Sequence, residues 1–175
     1  MKSIHLKTAC IDQWQVDFSV IQQTGFTLYR VSISDQTTGS RYDYPDTFLT
    51  EAKAYLSAYF LCLRASLDRK QHPALLVDLE TGYILSINLP AFELLTIDAV
   101  GARIFDFIVH SNDHRQINQR LCRTEEFHQL TLFCNADGLL MECELKAQIT
   151  PYYSKWAVFY LKANRFLPCS LPLKH

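Results

Sequence analysis

The chain reads as an α+β protein: an antiparallel sheet with helices on one face, preceded by a small β-meander plus an amphipathic helix. Three observations predict this. Between Ala74 and Leu95 the stretch ALLVDLETGYILSINLPAFELL runs through an apolar strand, a Gly turn, a second strand and an Asn-Pro helix start. Further on, Asn135-Ala136-Asp137-Gly138 separates two alternating apolar runs, and Asp-Gly is a strong turn signal because glycine takes a positive φ without steric cost. Upstream, apolar residues recur at helical spacing from Phe48 to Leu67 and stop short of Pro73.

Length and composition bound the rest. The 175 residues suffice for one ordinary domain with an appendage, or for two small ones. An apolar fraction of 49%, a charged fraction of 20% and a net charge of −1 describe a globular chain with no electrostatic footprint for nucleic acid. The start MKSIHLKTACIDQW lacks the apolar run of a signal peptide, and no stretch of about 18 apolar residues occurs, so a cytoplasmic protein without membrane contact is expected.

In residues 1–70, Cys10–Ile21 and Phe26–Ser34 read as strands joined by a turn at Gln22–Gly25, and Gln36-Thr37-Thr38-Gly39 leads into a short strand at Arg41–Tyr44. Neither face of Phe26–Ser34 is cleanly polar, so alternation leaves its buried side open. Asp46, after Pro45, is the expected N-cap of a helix of about 20 residues. Its apolar stripe comprises Phe48, Ala52, Tyr55, Tyr59, Leu63 and Leu67, flanked by Leu49, Leu56 and Phe60. Such a face needs cover from the meander, the following domain or a second copy of the chain. The charged cluster Asp68–His72 ahead of Pro73 marks the segment boundary.

Past it, Ala74–Leu79 and Tyr83–Ile87 form a hairpin across Glu80-Thr81-Gly82. Asn88 caps the helix Pro90–Leu95, where Pro90 has no donor to leave unmet. Thr96–Val109, holding Gly101 and the cluster Ile104, Phe105, Phe107 and Ile108, suits short helical turns laid across one side of the sheet. A longer helix follows over Asn112–Arg123, with Ile117 and Leu121 on one face and Cys122 beside them. Strands Phe127–Cys134 and Leu139–Thr150 flank the Asp-Gly turn. Pairing across Asn135–Gly138 sets Leu130, Leu132 and Cys134 on the same face as Leu139, Met141, Cys143, Leu145 and Ala147, away from Glu142, Glu144, Lys146 and Gln148. Lys155–Ala163 is a last strand, apolar on both faces.

This order, from His72 to Phe166, resembles the PAS domain family. Three local details carry the resemblance: the turn from Asp78 to Gly82, the run Ile84, Asn88, Phe92 and Leu95, and the Asp-Gly hairpin. It implies a PAS-like five-stranded antiparallel sheet in the spatial order 2-1-5-4-3, with helices on one face forming a cavity. Residues 72–166 are then the PAS-like domain, 1–70 an extension and 167–175 a tail. The resemblance also implies a signal-transduction module that binds a small-molecule ligand, forms a homodimer through its N-terminal helix, contacts a separate signalling protein, or combines these. In many relatives such a cavity holds haem, flavin or a small metabolite; no cofactor is assigned here. The residues placed to line it are Phe92, Leu95, Phe105, Ile108, Leu132, Cys134, Met141, Cys143 and Phe159.

Particular chemistries find little support in the residues. The reactive-cysteine run Asn-Cys-Arg-Phe-Leu-Gln of the family's flavin photoreceptors has no counterpart. The six cysteines (Cys10, Cys62, Cys122, Cys134, Cys143, Cys169) form no C-x-x-C pair and sit among apolar neighbours, as reduced and mostly buried thiols do. His110 and His114, with Asp113 between them, could share a metal on a helix, but no third ligand is apparent. The favoured alternative has both histidines solvated and Asp113 supporting the helix N-terminus. No metal and no catalytic residue is assigned, since neither a G-x-S-x-G nor a P-loop occurs among only five glycines. After Phe166 the remaining stretch is too short for a kinase, a cyclase or a DNA-binding helix-turn-helix, so action on a separate protein, or a fragment of a longer regulator, is expected. Three classes remain: a ligand sensor, a ligand-free interaction domain and a small enzyme reusing the fold. The first two divide on whether Phe92, Phe105, Phe107, Phe127, Phe133 and Phe159 line a cavity or close it.

Overall fold

The structure, a computed structural model, describes residues 3–23, 25–121 and 126–167. The chain divides into two compact units, one up to Ala65 and one from Ser66.

The first unit is an antiparallel sheet of β1 (Ser3–Ile11), β2 (Trp14–Gln23), β3 (Phe26–Asp35) and β4 (Arg41–Asp43), paired in chain order, followed by α1 (Glu51–Asp68), whose last residues belong to the second unit. The single strand expected over Cys10–Ile21 is two strands. Asp12 takes φ +52 and Ile11 pairs with Trp14, making a tight turn. Aspartate enters the left-handed region at low cost because its short polar side chain can bond locally. β2 also settles which face is buried. Trp14, Val16, Phe18 and Val20 are buried while Gln15, Asp17 and Ser19 between them are half-buried, and the register Val16↔Ile33, Phe18↔Val31 puts Ile33 and Val31 on the same side.

α1 starts later than its apolar pattern predicts. Phe48 joins the sheet instead, exchanging two 2.8 Å backbone hydrogen bonds with Tyr29, and Thr50 caps the helix by accepting from the Lys53 N–H at 3.3 Å. The expected stripe holds at Tyr59 and Leu67, which are buried, but Ala54, Ala58 and Cys62 are buried beside them, whereas Leu49 and Tyr55 are exposed. Alanines one turn apart let a helix approach its neighbours closely. Tyr55 lies flat against Phe18, their ring centres 6.1 Å apart.

The second unit holds β5 (Ala74–Asp78), β6 (Ile84–Ile87), α2 (Leu89–Leu95), a 3₁₀ turn at Ile104–Phe107, α3 (Ser111–Leu121), β7 (Glu126–Cys134), β8 (Leu140–Ile149) and β9 (Trp156–Leu167). The sheet is antiparallel in the order β6-β5-β9-β8-β7, which is the expected 2-1-5-4-3. One stretch of chain covers part of both edges. At β6, the Ile84 N–H donates to Ala102 and Ile84 accepts from Gly101; at β7, the Val109 N–H donates to the Leu132 carbonyl. The core joins Leu75, Leu145 and Phe159 of the sheet to Leu95 of α2, Ile104 of the 3₁₀ turn and Ile117 of α3.

The β7–β8 hairpin corrects the expected facing. Cys134 pairs with Leu140 rather than Leu139, because the Asn135 Oδ1 accepts from the N–H groups of Asp137 (3.1 Å) and Leu139 (2.9 Å) and draws Leu139 into the loop. One extra loop residue flips the parity of a whole strand. The inner partners of Ala147, Leu145, Cys143 and Met141 are therefore Phe127, Gln129, Thr131 and Phe133, and Leu130, Leu132 and Cys134 lie on the outer face with Glu142 and Glu144. Expectations for Cys122, Arg123, Cys169 and residues 168–175 fall outside the described residues. No helix among the described residues is long and apolar enough to cross a membrane.

Candidate functional site

The inner face of the second sheet is where a cavity was expected. Leu95, Ile108, Met141, Cys143 and Phe159 belong to its core, and Phe105 packs against it. Phe92 is 44% exposed, and Leu132 and Cys134 sit on the far face, so these three do not line the interior. Leu95, Ile104, Ile117, Phe133, Met141, Cys143, Leu145 and Ala147 leave no surface accessible to water. A void bounded by these eight side chains would leave them accessible, so they pack directly against one another and their neighbours. Phe127 and Phe159 meet edge to face, 6.4 Å between centres.

Two polar residues hold the frame around this core. Asp78 ends β5, and its Oδ1 accepts from the N–H groups of Glu80 (3.0 Å) and Thr81 (2.9 Å) and from the Thr81 hydroxyl. The turn closes with the Gly82 N–H donating to the Asp78 carbonyl at 2.8 Å, and Gly82 takes φ +75. Asn88 is more than the helix cap expected of it. Its Oδ1 accepts from Ala91 N–H (3.1 Å) at the start of α2 and from Ala74 N–H (3.0 Å) at the start of β5. Its Nδ2 faces the carbonyls of Leu67 (3.3 Å), Lys70 (3.1 Å) and His72 (2.8 Å), tying the approach to β5 into the same knot. The apolar run Ala74–Val77 gives no hint of these partners, which lie 14 to 21 residues away in sequence.

Of the histidine pair, His110 is exposed as expected, whereas His114 is half-buried and bonded. His114 Nε2 donates to the Ile108 carbonyl at 3.0 Å, and its ring rests on Phe105 with 5.0 Å between centres. Asp113 accepts a hydrogen bond from the Thr131 hydroxyl, fastening the first turn of α3 to β7. No group of three metal-ligating side chains occurs among the described residues.

The outer face of the sheet carries a feature the sequence reading passed over. A groove of about 610 Å³ runs over β7, β8 and β9 to Pro73, with Tyr160 among its walls and His128, Glu144, Lys146 and Lys162 about it. Charges of opposite sign sit side by side there. Glu144 bonds His128 at 2.8 Å and Lys162 at 3.3 Å, and Arg165 reaches Glu142 at 3.4 Å. Burial pushes the Tyr160 phenol above its ordinary range, with the Lys146 ammonium opposing. The alternation Glu142, Glu144, Lys146, Gln148 had marked this face only as polar. Among the cysteines, Cys62 and Cys143 are buried and their thiols are pushed up to about 12 by loss of hydration, in Cys62 with help from Asp12, whereas Cys10 is exposed.

No family model matches the chain, and no curated protein matches it. Solved structures do. A LOV protein from Rhodobacter sphaeroides superposes with TM-score 0.56 at 13% identity, covering 62% of this chain and 68% of that one. The PAS domain of the fruit-fly ELK potassium channel gives 0.52 at 12% identity, with 61% of this chain and 97% of that one covered. A PAS domain from Colwellia psychrerythraea gives 0.50 at 17% identity, with 59% and 96% covered. With the strand order 2-1-5-4-3 and the helices on the inner face, the second unit is therefore a PAS-like domain in its fold.

Proposed function

We propose that the chain is a signal-transduction module of the interaction kind, acting in the cytoplasm by homodimerisation and contact with a separate signalling protein, and not an enzyme. The observation that carries this reading is the packing of the inner face: Phe133, Met141, Cys143 and Leu145 are wholly buried, so a cofactor or metabolite seated among them would have to displace core side chains. The outer groove supports the interaction arm. It joins apolar area at Tyr160, Pro73 and Leu94 to a rim of mixed charge, the composition of a contact patch with a dry centre and a polar edge. Glu142 and Glu144 on β8 lie beside Lys162 and Arg165 on β9, so a second copy turned about a two-fold axis can set each sign against its opposite.

Light scattering of the eluting full chain over a concentration series tests this. The wild type should give a dimer mass, and Tyr160→Glu and Lys162→Glu should each shift it to monomer with an unchanged circular dichroism spectrum. Lys162 is 75% exposed, so that variant leaves the fold intact. A monomeric wild type would sink the dimer, and visible absorbance or an unexplained bound mass in fresh protein would sink the ligand-free interior.

A further inference from the structure

The first unit carries a polar groove that the PAS-like reading does not use. It measures about 570 Å³ and lies on the sheet face opposite Trp14, Val16 and Phe18. Strand register builds it from two rows. His5 pairs with Ser19 and Ser19 with Arg30; two residues along, Asp17 pairs with Ser32 and Ser32 with Asp43. The rows are thus about 7 Å apart along the strands and differ in sign.

Much of this face is already bonded, and the remainder is specific. Arg41 donates from Nε to the Asp43 Oδ1 at 3.2 Å and from Nη2 to Ser32 at 3.1 Å. Thr8 and Gln15 both donate to the Asp17 Oδ1, and His5 stands 3.8 Å from it. Asp17 and Asp43 therefore each bond through Oδ1 and leave Oδ2 open. Among the described residues, Arg30 has no hydrogen-bond or ion-pair partner, and the Ser19 hydroxyl beside it makes no bond. The groove thus offers a complete guanidinium fork with a hydroxyl in one row and two carboxylate oxygens in the next.

We infer that this groove binds a small zwitterion of the amino-acid class, its carboxylate on Arg30 and Ser19 and its ammonium towards the Oδ2 atoms of Asp17 and Asp43. The two arginines, Arg30 and Arg41, are matched in number by the two carboxylates, Asp17 and Asp43, so a bare anion gains little from the lining. A ligand carrying both signs is complementary to both rows. The guanidinium fork matches a carboxylate in two parallel hydrogen bonds, and the groove has room for the ligand's side chain.

Saturation-transfer NMR on the full chain tests this with the twenty standard amino acids one at a time, and with acetate and methylammonium as probes bearing one charge each. At least one amino acid should give a saturable signal while acetate and methylammonium at equal concentration give none. Arg30→Gln should weaken that binding by at least about tenfold, the loss expected of a charge-assisted hydrogen bond, and Asp43→Asn should weaken it as well. Both side chains are exposed, so circular dichroism should be unchanged. No saturable binding by any amino acid, binding indifferent to Arg30→Gln, or acetate binding as tightly as the amino acid would each overturn the assignment.

Discussion

Asn88→Asp separates two roles that Asn88→Ala would confound. Aspartate caps helices about as well as asparagine, so if Asn88 only started α2 the variant would match the wild type to within about 0.5 kcal/mol. The structure predicts otherwise. The side chain is 1% exposed, and its amide nitrogen faces three carbonyl oxygens at 2.8–3.3 Å. Exchanging that nitrogen for a carboxylate oxygen removes two donated hydrogen bonds, worth about 1 kcal/mol each. It also buries a charge against the negative ends of three peptide dipoles, bringing the total to about 3–5 kcal/mol. For a domain of about 100 residues this lowers Tm by roughly 15–30 °C. Differential scanning calorimetry of the full chain at neutral pH reads the shift. The sign with pH is fixed too: the introduced carboxyl has its folded pKa raised, so the unfolded chain loses its proton first. The extra penalty is absent below the unfolded value and grows as pH rises towards the folded one. A variant within a few degrees of wild type at neutral pH would refute the clamp and return Asn88 to a simple cap.

Other consequences are smaller in scope. Gly82→Ala forces a left-handed residue to carry a Cβ 3.1 Å from the Phe105 ring, and should cost about 1–2 kcal/mol in denaturant titration; an unchanged midpoint would contradict the turn geometry. Among the described cysteines, peptide-resolved alkylation at about pH 8 should modify Cys10 first and leave Cys62 and Cys143 unmodified until denaturant is added, since only the thiolate reacts. Asp17 should shape the acid limb of stability. Burial opposes its ionisation, but hydrogen bonds from Thr8 and Gln15 with the charges of His5 and Arg41 hold its carboxyl below the ordinary value. Its contribution is therefore present above the unfolded pKa and lost as pH falls through the folded one, and Asp17→Asn should flatten that part of a Tm-against-pH curve.

What the residues disclosed depended on whether the signal was local. Gly82, the Asn88-Leu89-Pro90 helix start and the Asp-Gly turn announce themselves within a few positions, and from the family resemblance they carry the strand order 2-1-5-4-3 follows. The facing of Leu132 and Cys134 did not, because it turned on a single residue: Leu139 counts as loop or as strand according to a side-chain bond from Asn135. The turn at Asp12 was hidden for a related reason. Cys10–Ile21 reads as one strand because a two-residue turn with no glycine leaves little mark on the pattern. Trp14, Val16, Phe18 and Val20 would have oriented the sheet had that strand been started at Trp14. α1 misled by composition in part, since beside Tyr59 and Leu67 its burial uses Ala54, Ala58 and Cys62, which a search for large apolar side chains ranks below Tyr55 and Leu49. The outer groove was illegible because its walls come from three strands, the approach to β5 and α2, and its charges look like ordinary solvated surface.

The nine residues Gly101–Val109 hold both margins of the second sheet at once, Ile84 at one end of this stretch and Leu132 at the other. Open strand margins are templates on which other chains polymerise. A single insertion or proteolytic cut in this short crossing would therefore bare two such templates in one event, converting a self-limited particle into one that can grow in both directions.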